Sequence, residues 1–304
     1  MPTAAWTSRR HLGDVVFLVC FGALLALPPA ASAEEHQLFL FVMNQYGLPV
    51  GDLRADEVVI EHRGDACEIK SLTPGTDPMT VALMVDDGEG AAQSLNPLRE
   101  GLNQFLDTLS PEHEVGLFTI SGQTTELVAF TTDRMALSEK VSNLFIERGT
   151  GVVFLDGLAE TWDRRFDDET SWPVFVAIVH GGAEASRSVR ERQLDQLANE
   201  LHMRGANVHT IVVSTRPTML QVEAAIRITE NTGGLYRALA APTAIPIALT
   251  ELAGAMDTHY EEVKNRYLVI FECDEDNPRR VQAKVDRPAV AVRTFRDRRM
   301  EPAP

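Results

Sequence analysis

Val81-Ala82-Leu83-Met84-Val85-Asp86-Asp87-Gly88-Glu89-Gly90 decides the fold. Five apolar residues in a row, closed by an acidic, glycine-rich turn, predict a strand buried on both faces. Only a parallel sheet covered by helices hides every side chain of such a run. In open α/β sheets the ligand crevice lies at the carboxyl ends of the strands, so the turn from Asp86 to Gly90 marks the expected site.

Outward from this strand, the pattern alternates. Leu95, Leu98, Leu102, Phe105, Leu106 and Leu109 fall at helical spacing, with Ser94 as the expected N-cap. Glu114–Ser121 and Leu127–Phe130 predict two strands. The short Gly122-Gln123-Thr124 turn between them requires antiparallel pairing. Asp133 is expected to cap a helix running to Leu144, and Val153–Phe166 predicts another. Pro173–Val179 is a second fully apolar strand. Helices over 189–203 and 220–232 alternate with strands at Val208–Val213 and Leu235–Arg237, and Gly233-Gly234 closes the second of those helices. A long helix is expected from Ile245 to about Asn265. The fold class is therefore α/β, a doubly wound, mostly parallel sheet with helices on both faces.

The flanks read differently. Gln37–Val42, Val58–His62 and Ala66–Leu72 are short β runs ahead of the sheet; Tyr267–Glu272, Val281–Val285 and Val290–Thr294 are short β runs after it. Pairing between the two sets would make a small β element and bring Cys67 and Cys273 into one layer. In an exported protein these cysteines are a candidate disulfide, with two buried free thiols as the alternative. Arg63-Gly64-Asp65 sits at a predicted hairpin turn, where Gly-Asp is ordinary turn chemistry.

The first 33 of 304 residues carry Arg9-Arg10, an apolar run from Val15 to Leu27 and Ala31-Ser32-Ala33, the signature of a signal peptide cleaved after Ala33. The run is too short to span a bilayer. Its loss takes two arginines and one aspartate, a net +1, so the formal charge passes from −16 to −17. That balance argues against nucleic acid and anionic lipid as partners. The expected organisation is a signal peptide (1–33), an N-terminal β element (34–75), an α/β domain (76–265) and C-terminal strands with a tail (266–304).

With these elements in place, Asp86 after the first strand, Gly151-Val152-Val153-Phe154-Leu155-Asp156-Gly157-Leu158, His180-Gly181-Gly182 and Gly233-Gly234-Leu235-Tyr236 together resemble a von Willebrand factor type A domain. The flanks Gly47-Leu48-Pro49-Val50, Leu53–Ile60 and Arg280–Pro288 resemble the bacterial exported proteins called VWFA-related. The resemblance spans about residues 36 to 297. It implies a divalent-cation adhesion site built from Asp-x-Ser-x-Ser, a threonine and a second aspartate. Asp86 matches the first aspartate. The serine positions are Gly88 and Gly90, the threonine position is Val152 with Thr150 two residues away, and the last aspartate position is His180. A hard cation needs oxygen ligands that these residues lack, so the site is expected to be degenerate, with no metal or other cofactor.

The function that follows is an exported, non-catalytic module that binds another protein through this face, with the oligomeric state left open. One alternative is a remodelled zinc or manganese site using Asp86, Asp87, Glu89, His180 and Glu184; a hydrolytic enzyme is another. A dinucleotide loop at Gly88-Glu89-Gly90 fails because Gln93 replaces the third glycine and the acidic residues repel a pyrophosphate.

Overall fold

The computed structural model describes residues 35–167, 170, 172–181, 184–187, 191–214, 219–273, 281–295 and 298–300. The expected leader with its cleavage point lies outside these residues, as do Gly182 and the acidic run 274–278. Among the described residues no helix is long and apolar enough to cross a membrane.

Strands β1 (Glu35–Asn44), β2 (Val58–His62) and β3 (Asp65–Pro74) belong to the N-terminal flank, and the α/β domain begins with β4 (Thr80–Val85). It continues through α1 (Leu95–Thr108), β5 (Glu114–Ser121), β6 (Gln123–Thr131), α2 (Arg134–Ser142), α3 (Phe154–Arg165), β7 (Pro173–His180), α4 (Glu191–Met203), β8 (Asn207–Val213), α5 (Met219–Thr232), β9 (Tyr236–Leu239) and α6 (Ile245–Val263). The sheet order is β6-β5-β4-β7-β8-β9, with β6 antiparallel and the rest parallel. Strand order reverses at β4, which makes the crevice between β4 and β7 the topological switch point.

The alternation of β4 divides the core. Val81, Leu83 and Val85 enter one apolar layer with residues of α1, α2 and α6; Ala82 and Met84 enter the other with residues of α3, α4 and α5. Full burial of side chains of this size contributes about 1.5–3 kcal/mol each before chain entropy is subtracted. On the second face α3 packs tightly: a Cβ on Gly157 would lie 2.8 Å from Ile120 Cγ2.

Local signals hold at several termini. Gly122 turns between β5 and β6 at φ +69°, and the Asp133 carboxylate accepts from the main-chain N–H groups of Met135 and Ala136 at the start of α2. Gly233 takes φ +70° beyond α5. Ser94 is the N-cap residue of α1, as expected, and its carbonyl accepts from Leu98 N–H, but it lies in the right-handed helical region, is buried, and its side chain makes no capping bond.

The flanks form one all-antiparallel sheet, in which β1 (Glu35–Asn44), β2 (Val58–His62), β3 (Asp65–Pro74), β10 (Tyr267–Glu272), β11 (Val281–Val285) and β12 (Val290–Phe295) take the order β11-β2-β3-β10-β1-β12. β11 and β12 are joined by the short turn 286–289 yet stand at opposite ends of this order, so the sheet curls round its core of Leu38, Leu40, Val42, Ile60, Val269 and Phe271. Arg287 in that turn bonds both oxygens of Glu57 and also Asp52, and these bonds hold both carboxyls below their ordinary pKa.

The register of β3 against β10 sets Glu272 opposite Glu68, and the next pair is Cys273 and Cys67, which are disulfide-bonded with Cα atoms 4.5 Å apart. The bond closes a 206-residue separation, worth up to about 5 kcal/mol in the chain-entropy account. The α/β domain is thus an insertion in the β module. Its inbound and outbound segments meet where Gly75 N–H donates to Arg266 O at 2.6 Å. A second tie comes from the C-terminal tail. Met300 N–H donates to Gly233 O, Arg298 O accepts from Asn207 Nδ2, and the Arg298 guanidinium lies 4.8 and 4.6 Å from the ring centroids of Phe39 and Trp172.

Candidate functional site

Three parallel strands end together at the switch point, and each delivers a polar residue: β4 delivers Asp86, β5 Ser121 and β7 His180. All are buried, Asp86 at 3%, Ser121 and His180 at 2% exposure. A carboxylate this deep must be supplied with donors, and the chain supplies them. Asp86 Oδ1 accepts from Gly88 N–H (3.0 Å) and from the Ser121 hydroxyl (2.9 Å). Oδ2 accepts from His180 N–H (2.8 Å), with His180 Nδ1 at 3.4 Å. Burial acts to raise the Asp86 pKa. The hydrogen bond and charge of His180, together with the Gly88 and His180 main-chain donors, outweigh it, and the group stays below the ordinary carboxylate value.

Ser121 serves two neighbours at once, since its oxygen also accepts from Asp87 N–H (3.1 Å). The Asp87 side chain fares worse. It is 6% exposed, Oδ1 has no hydrogen-bond partner, and burial, with the charges of Glu147 and Asp86 adding, lifts its pKa to about 6 against the pull of Ser121.

Above these residues the chain is stitched shut. Glu147 N–H donates to Asp87 O, Gly122 N–H to Gly151 O, Val153 N–H to Ile120 O, and Ala185 N–H to Val152 O. Thr150 turns its hydroxyl to Glu147 O rather than toward Asp86. Val152 is buried in the apolar layer. Gly88 and Gly90 fit because they lack side chains. A Cβ on Gly88 would lie 3.0 Å from Ser121 Oγ and 3.1 Å from both Asp86 Oδ1 and Thr150 O; one on Gly90 would lie 3.0 Å from Gly181 O.

The fit to a cation is therefore poor. Asp86 spends its oxygens on internal donors, and the space beside it is taken by Ser121 and main chain. Glu89 is exposed, while Glu184 is reached through Val152, its Oε1 accepting from Ser186 N–H and its pKa raised by burial. Among the described residues no three His, Cys, Asp or Glu side chains are grouped to hold a metal.

Of the positions singled out in the sequence, Asp86, Gly88 and His180 come together. Asp86, Gly88, Val152 and His180 are covered, Thr150 is half-buried, and Gly90 is exposed. Glu147 meets this turn through its main chain, its N–H on Asp87 O and its backbone paired with Gly88, and Glu147, its neighbours Phe145 and Arg148, and Glu89 and Gly90 are exposed. Ser121 and residues 145–149 were not among the residues expected at this site. The signal for Ser121 was available: a buried strand beside β4 ending in a hydroxyl.

Neither a family model nor a curated protein matches the sequence. Solved structures are. A von Willebrand factor type A protein from Catenulispora acidiphila superposes with TM-score 0.52 at 10% identity, covering 86% of this chain and 73% of that one. The conserved hypothetical protein BatB from Bacteroides thetaiotaomicron gives 0.47 at 13% identity over 59% of this chain and 99% of its own. The vWF domain of the type V pili tip protein Mfa5 from Porphyromonas gingivalis gives 0.45 at 11% identity over 60% and 96%. With its sheet order, its Asp86 turn at the switch point and the first of these likenesses, the chain has the von Willebrand factor type A fold.

Proposed function

We propose that this is an exported, non-catalytic protein-interaction module that works without a metal. One observation carries the reading: the carboxylate where the fold's cation site would lie is already saturated by Ser121, Gly88 and His180. The contact patch is then the exposed cap over it, Glu89, Gly90, Phe145, Glu147 and Arg148, with Phe145 69% exposed. Export rests on the leader-like first 33 residues and agrees with the Cys67–Cys273 bond.

The arrangement does not favour hydrolysis. In a nucleophilic triad the histidine lies between hydroxyl and carboxylate. Here the carboxylate lies between Ser121 and His180, and Ser121 gives its proton to Asp86.

Titration calorimetry with magnesium, manganese and zinc is the test. No binding heat is expected. Stoichiometric binding that disappears in Asp86→Ala would overturn the metal-free reading. For the patch, a saturable partner from envelope extract is expected to be lost on Phe145→Ala with Glu147→Lys; retention of that partner would move the interface elsewhere.

A further inference from the structure

Both crossings between the β module and the α/β domain, residues 74–80 and 263–267, lie inside the loop closed by Cys67 and Cys273. The shortest covalent path from residue 35 to residue 300 therefore runs along β1, β2 and the start of β3, across the sulfurs, and out through β11 and β12. It never enters the inserted domain. We propose that this disulfide is a mechanical bypass: tension applied to the two ends of the chain is carried through the β module and the sulfur–sulfur bond, while the α/β domain and its contact face stay folded.

The strand geometry makes the order of events specific. β1 and β12 are antiparallel neighbours, with Phe39 opposite Phe295 and Asn44 opposite Val290. The end of β12 nearest the tail thus lies toward the start of β1, and pulling there peels the ladder pair by pair instead of shearing it. The tail comes away through the hydrogen bonds of Arg298 O and Met300 N–H. Beyond that point the load meets a covalent bond. The inserted domain keeps its own two apolar layers, to which the flanks contribute Met300. Loss of the module therefore leaves its core nearly complete.

The experiment is single-molecule pulling on the full oxidised chain through protein handles fused outside residues 35 and 300. At about 3.6 Å per extended residue, the stretches outside the bond, about 32 and 27 residues, release roughly 210 Å. The segment behind the bond holds a further ~740 Å for its 206-residue separation. The oxidised chain is expected to stop at the short extension, and the long step is expected only after a phosphine reductant is flowed over the same held molecule. An oxidised chain that gives the long step overturns the proposal. A bulk experiment tests the independence of the inserted domain. Leu40→Asp, which breaks the β-module core, is expected to keep the urea midpoint read from Trp162 and Trp172 fluorescence in the oxidised protein. Loss of that transition would mean that the domain cannot stand without the module, and would equally overturn it.

Discussion

Ser121→Ala is the sharpest perturbation of the candidate site. The hydroxyl is 2% exposed, donates to Asp86 Oδ1 at 2.9 Å and accepts from Asp87 N–H at 3.1 Å. Removing it deletes one donor from a buried carboxylate, a charge-assisted bond worth about 1.5–3 kcal/mol. It also leaves the Asp87 N–H without its acceptor, at about 1–3 kcal/mol. The two losses share one atom and are not additive, so the expected cost is about 2–4 kcal/mol. Trp162 and Trp172 both lie in the α/β domain, so urea unfolding followed by their fluorescence reads the correct part of the chain. The cost should shrink toward low pH, where Asp86 is protonated and no longer needs the donor. A cost below about 1 kcal/mol at neutral pH, the size of an ordinary surface change, would refute the claim that the Ser121 hydroxyl is what satisfies the buried Asp86 carboxylate and the Asp87 N–H.

Asp87→Asn should alter the pH profile. Because burial raises the Asp87 pKa from 3.8 to about 6, the folded state holds its proton more tightly than the unfolded one, and stability falls as pH rises between those values, by up to about 3 kcal/mol. The variant is expected to gain on the parent across that window in pH-resolved urea titrations, and a pH-independent difference would contradict the assignment. Gly88→Ser with Gly90→Ser should destabilise the domain without creating a magnesium site, because each new Cβ meets atoms at 3.0–3.1 Å; calorimetry and thermal unfolding check the two halves. Arg298→Met should keep most of the stability that Arg298→Ala loses, since the side chain packs between Phe39 and Trp172 as much as it carries charge. Thermal melts of the pair decide it, and equal losses would place the weight on the charge.

What could be read from the sequence was what local chemistry dictates. The doubly apolar β4, the Asp133 cap and the glycines at 122 and 233 each announce themselves within a few residues. The joining of the flanks into one β element was also readable, because both sets of short β runs needed partners outside the α/β domain. Strand lengths were less so. β1 and β3 run beyond their predicted ends because β10 and β12, more than 190 residues away, extend the ladders. Ser94 was legible as the N-cap of α1, but not that its side chain is buried and makes no capping bond. At the candidate site, Asp86, Gly88 and His180 could be assigned to neighbouring strand ends by position. Ser121 and residues 145–149 could not, because their placement depends on which strand ends lie side by side.

The inserted arrangement sets a timetable for synthesis. β1 to β3 emerge first, but β1 pairs with β10 and β12, which leave the ribosome only after the whole α/β domain. At about 5–20 residues per second, the first strands wait roughly 10 to 40 seconds with open edges. The α/β domain depends mainly on its own chain for its core and can fold during that wait. Once it has done so, the Gly75–Arg266 contact brings the distant β strands together, replacing the closure of a very long flexible loop with a short one. The central domain thus serves as the jig on which the outer module, made in two instalments, is assembled.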